Sequence, residues 1–424
     1  MAMSFADSAV HFAAALFLVA MAVYLSLLAL REAMATRTAH VTIATEQALL
    51  RERIGEIADR RRREQEKAER TWDGFRKFVI ARKELEANDT RSFYLEPHDR
   101  RPLPTFLPGQ YLTFRLPVSG SPKPVIRCYS LSDAPKADYF RVTIKRIGPP
   151  PNNPDGPSGV SSSYFHDELE PGDIVDVKAP AGQFFLDMAE SSSAVLIGGG
   201  IGLTPVLSML NAIVDAGSNR DVWFFYGVRN RSEHAFAEHL KAIAAEHPEV
   251  RLHICYSDPT PEDMVGEHYH HAERVSVDLM KKLLPSNAHH FYMCGPPPMM
   301  KTVVEDLLAW GVPHEHIHHE AFGPASVKSA AAPSAEPTGS SNIEVNFTRA
   351  EKRIAWDGRS TLLEVAEANG IRMDFGCRSG NCGTCLTALK SGEVKYPSPP
   401  GCAVEKGSCL ACIALPRSNV TIDA

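Results

Sequence analysis

The chain has 424 residues, 44% hydrophobic and 23% charged, with a formal net charge of −6. This length predicts about three domains, and the composition allows each of them a sizeable core. The negative charge and the lack of a broad basic face give no support for nucleic-acid binding. Six of the nine cysteines fall between Cys377 and Cys412. An odd total of nine, with most of the cysteines at one end of the chain, argues against a secreted disulfide framework. It indicates a metal site in a reducing compartment.

Residues 1–35 are predicted to form a transmembrane anchor. No Asp, Glu, Lys or Arg occurs in residues 8–30, and about 20 apolar residues are enough for a helix to cross a bilayer. A cleaved signal peptide is the alternative, but it needs a basic start, and only Asp7 is charged before the run. Arginines follow the run and none precedes it. We therefore expect a single-pass protein of the inner or cell membrane, with its C-terminal bulk in the cytoplasm.

Five further segments are predicted from composition and periodicity. Residues 36–70 lack proline and are rich in Glu, Arg and Ala, which indicates an exposed charged helix that either touches lipid head groups or is simply solvated. Residues 71–190 carry short alternating strands and predict an antiparallel β domain. In residues 191–325 strands alternate with helices, which predicts a parallel α/β domain. An Ala/Pro/Ser-rich flexible linker at 326–341 precedes a last β-rich domain at 342–424.

The last domain contains a C-x4-C-x2-C motif at Cys377, Cys382 and Cys385. This is the spacing of plant-type ferredoxins, which hold a [2Fe–2S] cluster, and zinc sites instead favour paired knuckles. A fourth thiolate must come from a distant strand, and the candidates are Cys402, Cys409 and Cys412. The segment that begins at Cys412 resembles the ferredoxin strand that carries the last ligand. We therefore choose Cys412, with Cys409 as the alternative, and the resemblance implies an α+β β-grasp fold.

The segment Arg127-Cys128-Tyr129-Ser130 resembles the R-x-Y-S motif of the ferredoxin–NADP reductase superfamily. The resemblance implies that Arg127 pairs with flavin phosphates, that Tyr129 covers the isoalloxazine ring and that Ser130 lies near flavin N5. These roles suit the chemistry, because a guanidinium matches phosphate geometry and an aromatic ring supports a planar one. The superfamily also implies that residues 71–190 form a β-barrel.

Further segments of the chain match the same superfamily. A G-x-x-S-like segment contributes Gly159, Ser161 and Ser162, where a helix N-terminus meets the flavin pyrophosphate. This segment implies FAD, with FMN as the alternative used by phthalate dioxygenase reductase. We assign no role to the Pro/Asn-rich insertion at 149–157. The remaining predicted residues bind nicotinamide nucleotide or border the flavin, and they are Gly199, Gly200, Gly202, Thr204, Cys294, Gly295, Pro296, Glu320 and Phe322.

One of these segments has a physical reason for binding a nucleotide, and another is assigned by resemblance. The run G-G-G-I-G-L-T-P at 198–205 follows an apolar strand, and such a turn lets the backbone approach a pyrophosphate. The C-G-P-P segment at 294–297 resembles the one that places a cysteine near the nicotinamide, although a buried structural cysteine is the alternative. The resemblance makes Ser130, Cys294 and Glu320 the catalytic candidates.

The matching segments keep the superfamily's order from residue 72 to the end of the chain. Residues 72–324 are most similar to the reductase half of flavohaemoglobins. The C-terminal ferredoxin placement resembles phthalate dioxygenase reductase and hybrid-cluster-protein reductase. The resemblance implies a reductase that passes electrons from NADH to FAD, to [2Fe–2S] and to an acceptor protein such as an oxygenase, hydroxylase or desaturase. The preference for NADH over NADPH rests on the resemblance alone.

Two other functions remain as alternatives. One is a membrane NADH:quinone oxidoreductase, and the other is a redox sensor or scaffold that binds nucleotide without turnover. The ferredoxin domain follows the flavin domain, which argues against the F subunit of the sodium-pumping NADH:quinone reductase. Histidine-rich stretches at 268–271 and 314–319 fit no metal template and are expected on surface loops and helix ends.

Overall fold

The computed structural model describes residues 72, 74–119, 123–149, 153–320, 322, 343–397 and 400–424, and eight residues between 21 and 31, which are helical. Residues 1–69 and 70–424 form two units, and each is described by itself. Most of the predicted anchor, the helix at 36–70 and the linker at 326–341 lie outside the described residues, as do residues 150–152 of the insertion. Within the described parts of the chain, no helix is long and apolar enough to cross a membrane.

The first domain is an antiparallel barrel, as predicted. Its strands are β1 (Arg76–Ala87), β2 (Thr90–Pro97), β3 (Tyr111–Leu116), β4 (Val125–Ser130), β5 (Phe140–Lys145) and β6 (Ile174–Ala181). They form one sheet in the order β4-β3-β6-β1-β2-β5. An antiparallel bridge between Leu131 and Val142 joins the two edge regions of this sheet. The bridge closes the barrel next to the end of β4, the strand that carries the R-x-Y-S motif.

A short helical segment packs against β4 inside this domain. It consists of α1 (Val160–Ser163) followed by one π-helical turn (Tyr164–Glu168). The buried ring of Phe165 meets the rings of Phe114 and Tyr129 edge-on, at centroid distances of 5.2 and 5.3 Å. Such edge-to-face contacts add to the stabilisation that comes from burying the rings. This aromatic cluster fixes the start of α1 beside the R-x-Y-S strand.

The second domain is a parallel α/β sheet, also as predicted. Its elements are β7 (Ala194–Gly199), α2 (Leu203–Asp215), β8 (Val222–Val228), α3 (Ala237–Glu246), β9 (Val250–Tyr256), α4 (Val277–Leu283), β10 (His290–Cys294), α5 (Pro297–Ala309) and β11 (Ile317–Glu320). The strand order is β11-β10-β7-β8-β9. All six residues of β7 are buried, because helices cover both faces of a parallel sheet. The strand order reverses at β7 and β10, and ligands of such sheets bind beyond the carboxyl ends at that point.

The third domain is a mixed sheet with one helix, in keeping with the predicted α+β class. Its elements are β12 (Glu344–Phe347), β13 (Lys352–Ala355), α6 (Leu362–Ala368), β14 (Leu386–Ser391), β15 (Val394–Lys395), β16 (Ser408–Leu410), β17 (Leu415–Pro416) and β18 (Val420–Ile422). The larger sheet has the order β13-β12-β18-β14-β16. Thr361 and Glu364 cap the start of α6 reciprocally, which satisfies two backbone N–H groups. The predicted cluster loop lies between α6 and β14.

Candidate active site at the junction of three domains

A cavity of about 360 Å³ lies where the barrel, the α/β domain and the third domain meet. Its wall combines β3, β4 and α1 of the barrel with the end of β11 and the loop at 376–381. Ten of the predicted site residues line it: Arg127, Tyr129, Ser130, Gly159, Ser161, Ser162, Thr204, Glu320, Phe322 and Cys377. Residues that are up to 250 positions apart in the chain, such as Arg127 and Cys377, therefore share one site.

Tyr129 is held in a single orientation at the cavity wall. Its hydroxyl shares a hydrogen bond of 2.8 Å with the Ser161 hydroxyl. The ring stands edge-on to Phe114 and Phe165. Burial raises the pKa of Tyr129 to about 12, so the hydroxyl stays protonated at neutral pH. A fixed, neutral aromatic ring is the surface that a planar heterocycle requires.

The guanidinium group of Arg127 lies along the same wall of the cavity. Its Nη1 donates to the carbonyl oxygen of Ile126 at 2.7 Å and to that of Gly376 at 3.2 Å. A guanidinium has five N–H donors in a planar fork, so two carbonyl bonds leave donors for a phosphate. Arg127 therefore reaches both the cavity and the third domain.

The start of α1 needs its glycine. A Cβ atom at Gly159 would lie 2.7 Å from Ser162 Oγ and 2.9 Å from Ile147 Cβ. The Ser162 hydroxyl donates to the Gly159 carbonyl at 2.9 Å and accepts from the Ile147 amide at 3.1 Å. The structure thus brings Gly159, Ser161 and Ser162 together beside Tyr129, as the G-x-x-S interpretation predicts.

Two of the three catalytic candidates, Ser130 and Glu320, line the cavity, and the third, Cys294, is fully buried. Cys294 on β10 is the register partner of Glu320 on the neighbouring strand β11. The Ser130 hydroxyl on the barrel is close enough to the Glu320 carboxyl group to lower its pKa through hydrogen bonding. Residues from two domains thus form one cluster.

Burial controls the protonation of this cluster. It raises the pKa of Glu320 to about 8, and the hydrogen bond from Ser130 offsets only part of that shift. Among the described residues, Glu320 Oε2 has no hydrogen-bond partner. Burial, and then the nearby Glu320, raise the pKa of the Cys294 thiol well above its usual value. At neutral pH this edge of the cavity is therefore largely uncharged.

The two glycine-containing loops of the α/β domain lie in contact behind the cavity. A Cβ atom at Gly202 would overlap the backbone carbonyl of Cys294, and one at Gly199 would lie 2.9 Å from Pro296 Cδ. Gly200 has a φ of 54°, which is strained for other residues, and Gly295 also lies against Gly199. These loops meet at the carboxyl ends of β7 and β10, where a pyrophosphate can approach the backbone.

Two predicted residues complete this side of the cavity. The buried Thr204 hydroxyl donates to the Ile201 carbonyl at 3.1 Å. Phe322 follows β11 and is 37% exposed, although it borders the cavity. A partly exposed aromatic ring at the rim of a site is suited to cover a bound ring.

The predicted cluster ligands are arranged as two pairs. Cys377 Sγ accepts hydrogen bonds from the amides of Asn381 and Cys382, both at 3.3 Å, and Cys382 Sγ accepts from the Cys377 amide at the same distance. Cys385 Sγ lies 3.1 Å from Cys412 Sγ. Four thiolates hold a [2Fe–2S] cluster, so two pairs, one for each iron, fit it. In the described part of the chain, no group of three or more His, Cys, Asp and Glu side chains is arranged to hold a single metal ion.

The other two candidate thiols are placed differently. Cys409 lies in β16 opposite Thr387 of β14 and is fully buried. Cys402 Sγ faces the Gly380 carbonyl at 3.5 Å. Neither comes as close to Cys385 Sγ as Cys412 does, which favours Cys412 as the fourth ligand.

The histidine-rich stretches differ in part from the expectation of surface loops and helix ends. His268 is buried, and its Nδ1 accepts from the Met264 amide at 3.0 Å. His318 and His319 lie in strand β11, where the His318 ring stacks on Tyr292 at 4.5 Å. The expectation is therefore wrong for these three residues, because His268 is buried in a turn and because His318 and His319 belong to an edge strand of the sheet.

Tyr111 and Cys128 are among the residues that line the cavity without a role predicted from the sequence. Cys128 lies inside the R-x-Y-S motif, and its neighbours in that motif were the available signal. Tyr111 opens strand β3, and an aromatic residue at the start of a strand is ordinarily part of the core.

Three family models match the chain. Residues 77–186 match the oxidoreductase FAD-binding domain, residues 196–305 the oxidoreductase NAD-binding domain, and residues 346–417 the 2Fe-2S iron–sulfur cluster binding domain. The chain is also similar to the flavohem-like FAD/NAD-binding domain of nitric oxide dioxygenase from Vibrio cholerae O1 biovar El Tor. That structure is 33% identical with a TM-score of 0.52, and the match covers 59% of this chain and 99% of that one. The chain belongs to the ferredoxin–NADP reductase family.

A second solved structure extends the similarity to the third domain. Phthalate dioxygenase reductase, described as a modular structure for electron transfer from pyridine nucleotides to [2Fe–2S], is 29% identical with a TM-score of 0.51. The match covers 83% of this reductase and 98% of that chain. A flavohaemoprotein from Bacillus thuringiensis subsp. konkukian is 39% identical over 255 residues, which is 60% of this chain. The reductase spans about 62% of the length of that relative.

These matches establish the class of enzyme and its cofactors. The protein is an NAD(P)H-dependent flavin and iron–sulfur oxidoreductase that uses FAD, NADH and a [2Fe–2S] cluster. FAD, rather than the alternative FMN, agrees with the family model of the first domain. The cavity and the paired thiols are the places in the structure that fit these groups.

Proposed function

We propose that this reductase passes electrons from NADH through FAD and the [2Fe–2S] cluster to a separate acceptor protein of the oxygenase, hydroxylase or desaturase type. One observation carries the proposal: the R-x-Y-S residues Tyr129 and Ser130 and the cluster-motif residue Cys377 line one cavity. A bound flavin supplies the conversion between a two-electron donor and a one-electron acceptor. The protein's own contribution is to position the groups and to control charge around them.

In this proposal the barrel holds the flavin. Arg127 and the start of α1, with Gly159, Ser161 and Ser162, hold its phosphates through the guanidinium fork and backbone amides. The fixed ring of Tyr129 supports the isoalloxazine. These side chains are already positioned by contacts within the barrel, so little ordering is needed on binding.

The α/β domain holds the nucleotide and contributes to the reacting centre. Its binding residues are Gly199, Gly200, Gly202, Thr204, Gly295 and Pro296. Ser130, Cys294 and Glu320 surround the position of hydride transfer, with Glu320 held neutral by burial. Phe322 covers the flavin side of the cavity. A neutral edge avoids repulsion with the negative charge that a hydride delivers.

The third domain holds the cluster through Cys377 and Cys382 on one side and Cys385 and Cys412 on the other. Backbone amides already point at the Cys377 sulfur. Hydrogen bonds to cluster sulfurs are one of the factors that set reduction potential.

An anaerobic titration with NADH tests the electron path. Visible absorbance should show flavin bleaching, and electron paramagnetic resonance should then show the signal of a reduced [2Fe–2S] centre. Flavin bleaching without that signal would contradict the step to the cluster. Absence of both changes would favour the sensor or scaffold alternative.

The same preparation separates the two classes of acceptor. NADH oxidation that depends on a soluble quinone, without any protein acceptor, would favour the quinone oxidoreductase alternative. Stimulation by a protein fraction containing an oxygenase-type partner, with no quinone present, supports the proposal.

We also propose that residues 1–35 anchor the reductase in the inner or cell membrane, with its catalytic domains in the cytoplasm. The support is the uncharged run at 8–30 and the arginines that only follow it. The full-length chain should remain in the membrane pellet after an alkaline carbonate wash. A variant that lacks residues 1–35 should be released. Full-length protein in the supernatant would contradict the anchor.

A further inference from the structure

One buried tyrosine of the barrel contacts the third domain. Tyr111 opens strand β3 and is only 2% exposed. Its hydroxyl donates to the carbonyl oxygen of Asn381 at 2.8 Å and lies 3.2 Å from that of Gly401. Asn381 belongs to the loop between Cys377 and Cys382. The phenol therefore reaches from the flavin domain into the loop that carries the first two cluster ligands.

Glycines of both domains leave room for this side chain. A Cβ atom at Gly182 of the barrel would lie 2.9 Å from the Tyr111 ring, and Gly182 has a φ of 127°. A Cβ atom at Gly401 of the third domain would lie 3.3 Å from the Tyr111 hydroxyl and would overlap the Asn381 side chain. Tyr111 thus occupies a slot that is formed from both domains, and this close fit marks it as more than a core residue of the barrel.

The contacts around the slot lie on β4, at the edge of the barrel sheet, and on the loop that precedes it. Ile126 packs against Gly376, where an added Cβ atom would lie 2.9 Å from Ile126 Cβ. Lys123 and Asp374 form an ion pair of 2.9 Å at the rim, with side-chain exposures of 81% and 72%. Such an exposed pair contributes little to stability. The Tyr111 hydroxyl is a stronger contact than this ion pair, because removing it leaves the Asn381 carbonyl without its donor in a buried slot. Arg127 adds a second hydrogen bond between the domains, to the Gly376 carbonyl at 3.2 Å.

We propose that Tyr111 is the positioning residue that docks the cluster loop against the flavin cavity. The inference rests on the proposed function, because docking matters only if electrons pass from flavin to cluster. Cys377 lines the cavity in this docked arrangement. The face of the loop that touches the barrel is closed to an outside partner, so an acceptor protein that takes electrons through this face needs the domain to release. A docking residue consequently favours the first electron-transfer step and opposes the second.

The Lys123–Asp374 pair offers a direct measure of docking in the holoenzyme that does not depend on turnover. A water-soluble carbodiimide should couple the two side chains into an amide, and mass spectrometry of the digested protein quantifies the joined peptides. Tyr111→Phe keeps the ring but removes the hydroxyl, and we expect its coupling yield to fall about two- to tenfold. Tyr139→Phe is the matched control, because its hydroxyl donates at 2.9 Å to Asp133 within the barrel. The control should couple like the wild type.

A kinetic measurement on the same proteins separates positioning from general damage. After rapid mixing with NADH, cluster reduction should slow by about two- to tenfold relative to flavin reduction in Tyr111→Phe, while reduction of a protein acceptor by the pre-reduced cluster should not slow. Gly401→Ala crowds the same slot from the other domain and should give the same pattern. Flavin and iron content should match the wild type in each variant.

The outcomes distinguish the inference from the proposed function. If the wild-type cluster is not reduced through the flavin, the proposed function itself fails. If wild-type transfer is normal, and both Tyr111→Phe and Gly401→Ala couple and transfer electrons like Tyr139→Phe, then Tyr111 does not control docking and the inference is overturned.

Discussion

Replacing Glu320 with glutamine should remove a pH dependence from the reduction of the flavin by NADH. Burial raises the pKa of Glu320 to about 8, so the carboxyl group is about nine tenths protonated at pH 7 and about one tenth at pH 9. An ionised carboxylate beside a ring that accepts a hydride opposes the arriving negative charge. If only the neutral form supports fast transfer, the wild-type rate constant should fall about tenfold between these pH values. Glutamine stays neutral throughout, so the Glu320→Gln profile should be flat.

Anaerobic stopped-flow absorbance of the flavin, at saturating NADH from pH 6 to 9.5, measures this rate constant directly. Glu315→Gln serves as the control, since Glu315 is an exposed glutamate of the turn before β11, and it should retain the wild-type profile. A Glu320→Gln protein whose rate falls with pH as steeply as the wild type would refute the assignment of this titration to Glu320.

The free energy of unfolding should also depend on pH through the titration of Glu320. The folded-state pKa of Glu320, about 8, lies above the ordinary value of 4.5, so between these pH values the folded protein binds more protons than the unfolded chain. The contribution of Glu320 to the free energy of unfolding should therefore be largest below pH 4.5 and should decrease as pH rises toward 8. The slope is at most about 1.4 kcal/mol per pH unit. Thermal melting of wild type and Glu320→Gln across pH 5–8 tests whether the variant loses this slope.

Four further variants test other parts of the site. Cys412→Ser should lose the electron paramagnetic resonance signal of the reduced cluster, whereas Cys409→Ser should keep it; the reverse result would exchange their roles. Gly202→Ala should raise the KM for NADH about tenfold or more while flavin content is kept, because the added methyl group meets the backbone carbonyl of Cys294; an unchanged KM would contradict the nucleotide site. Tyr129→Phe loses the hydrogen bond to α1 and should weaken FAD binding about two- to tenfold, as measured by fluorescence titration of the apoprotein; unchanged affinity would show that this bond does not organise the site.

Much of the site was predictable because its residues occur in local segments whose chemistry depends on neighbours in sequence. The turn at 198–205 shows its glycines and its preceding apolar strand in one window, and the structure places it at the carboxyl end of β7. The spacing of Cys377, Cys382 and Cys385 likewise fixes a loop geometry without reference to the rest of the fold. The two classes of sheet followed from short alternating strands in one region and from strands that alternate with helices in the other.

The remaining features depend on contacts between domains, which no local pattern encodes. Glu320 acquires its raised pKa because strand β11 ends where the barrel covers it. In the sequence, Tyr111 has the pattern of an ordinary strand residue. Only the structure shows that the third domain provides a carbonyl acceptor for its hydroxyl. Cys412 was preferred to Cys409 by resemblance alone, and the folded strands add a physical reason, the 3.1 Å approach of Cys412 Sγ to Cys385 Sγ.

The position of Arg127 between the cavity and the third domain has a consequence for how the protein assembles. One guanidinium faces the cavity and also donates to the Gly376 carbonyl of the third domain. FAD binding and docking of the third domain therefore both involve the Arg127 guanidinium. The two equilibria are thermodynamically linked. Linkage is reciprocal: whatever factor FAD applies to docking, docking must apply to the affinity for FAD. A chain that has not yet received its flavin should thus differ from the loaded one in how firmly it holds its iron–sulfur domain.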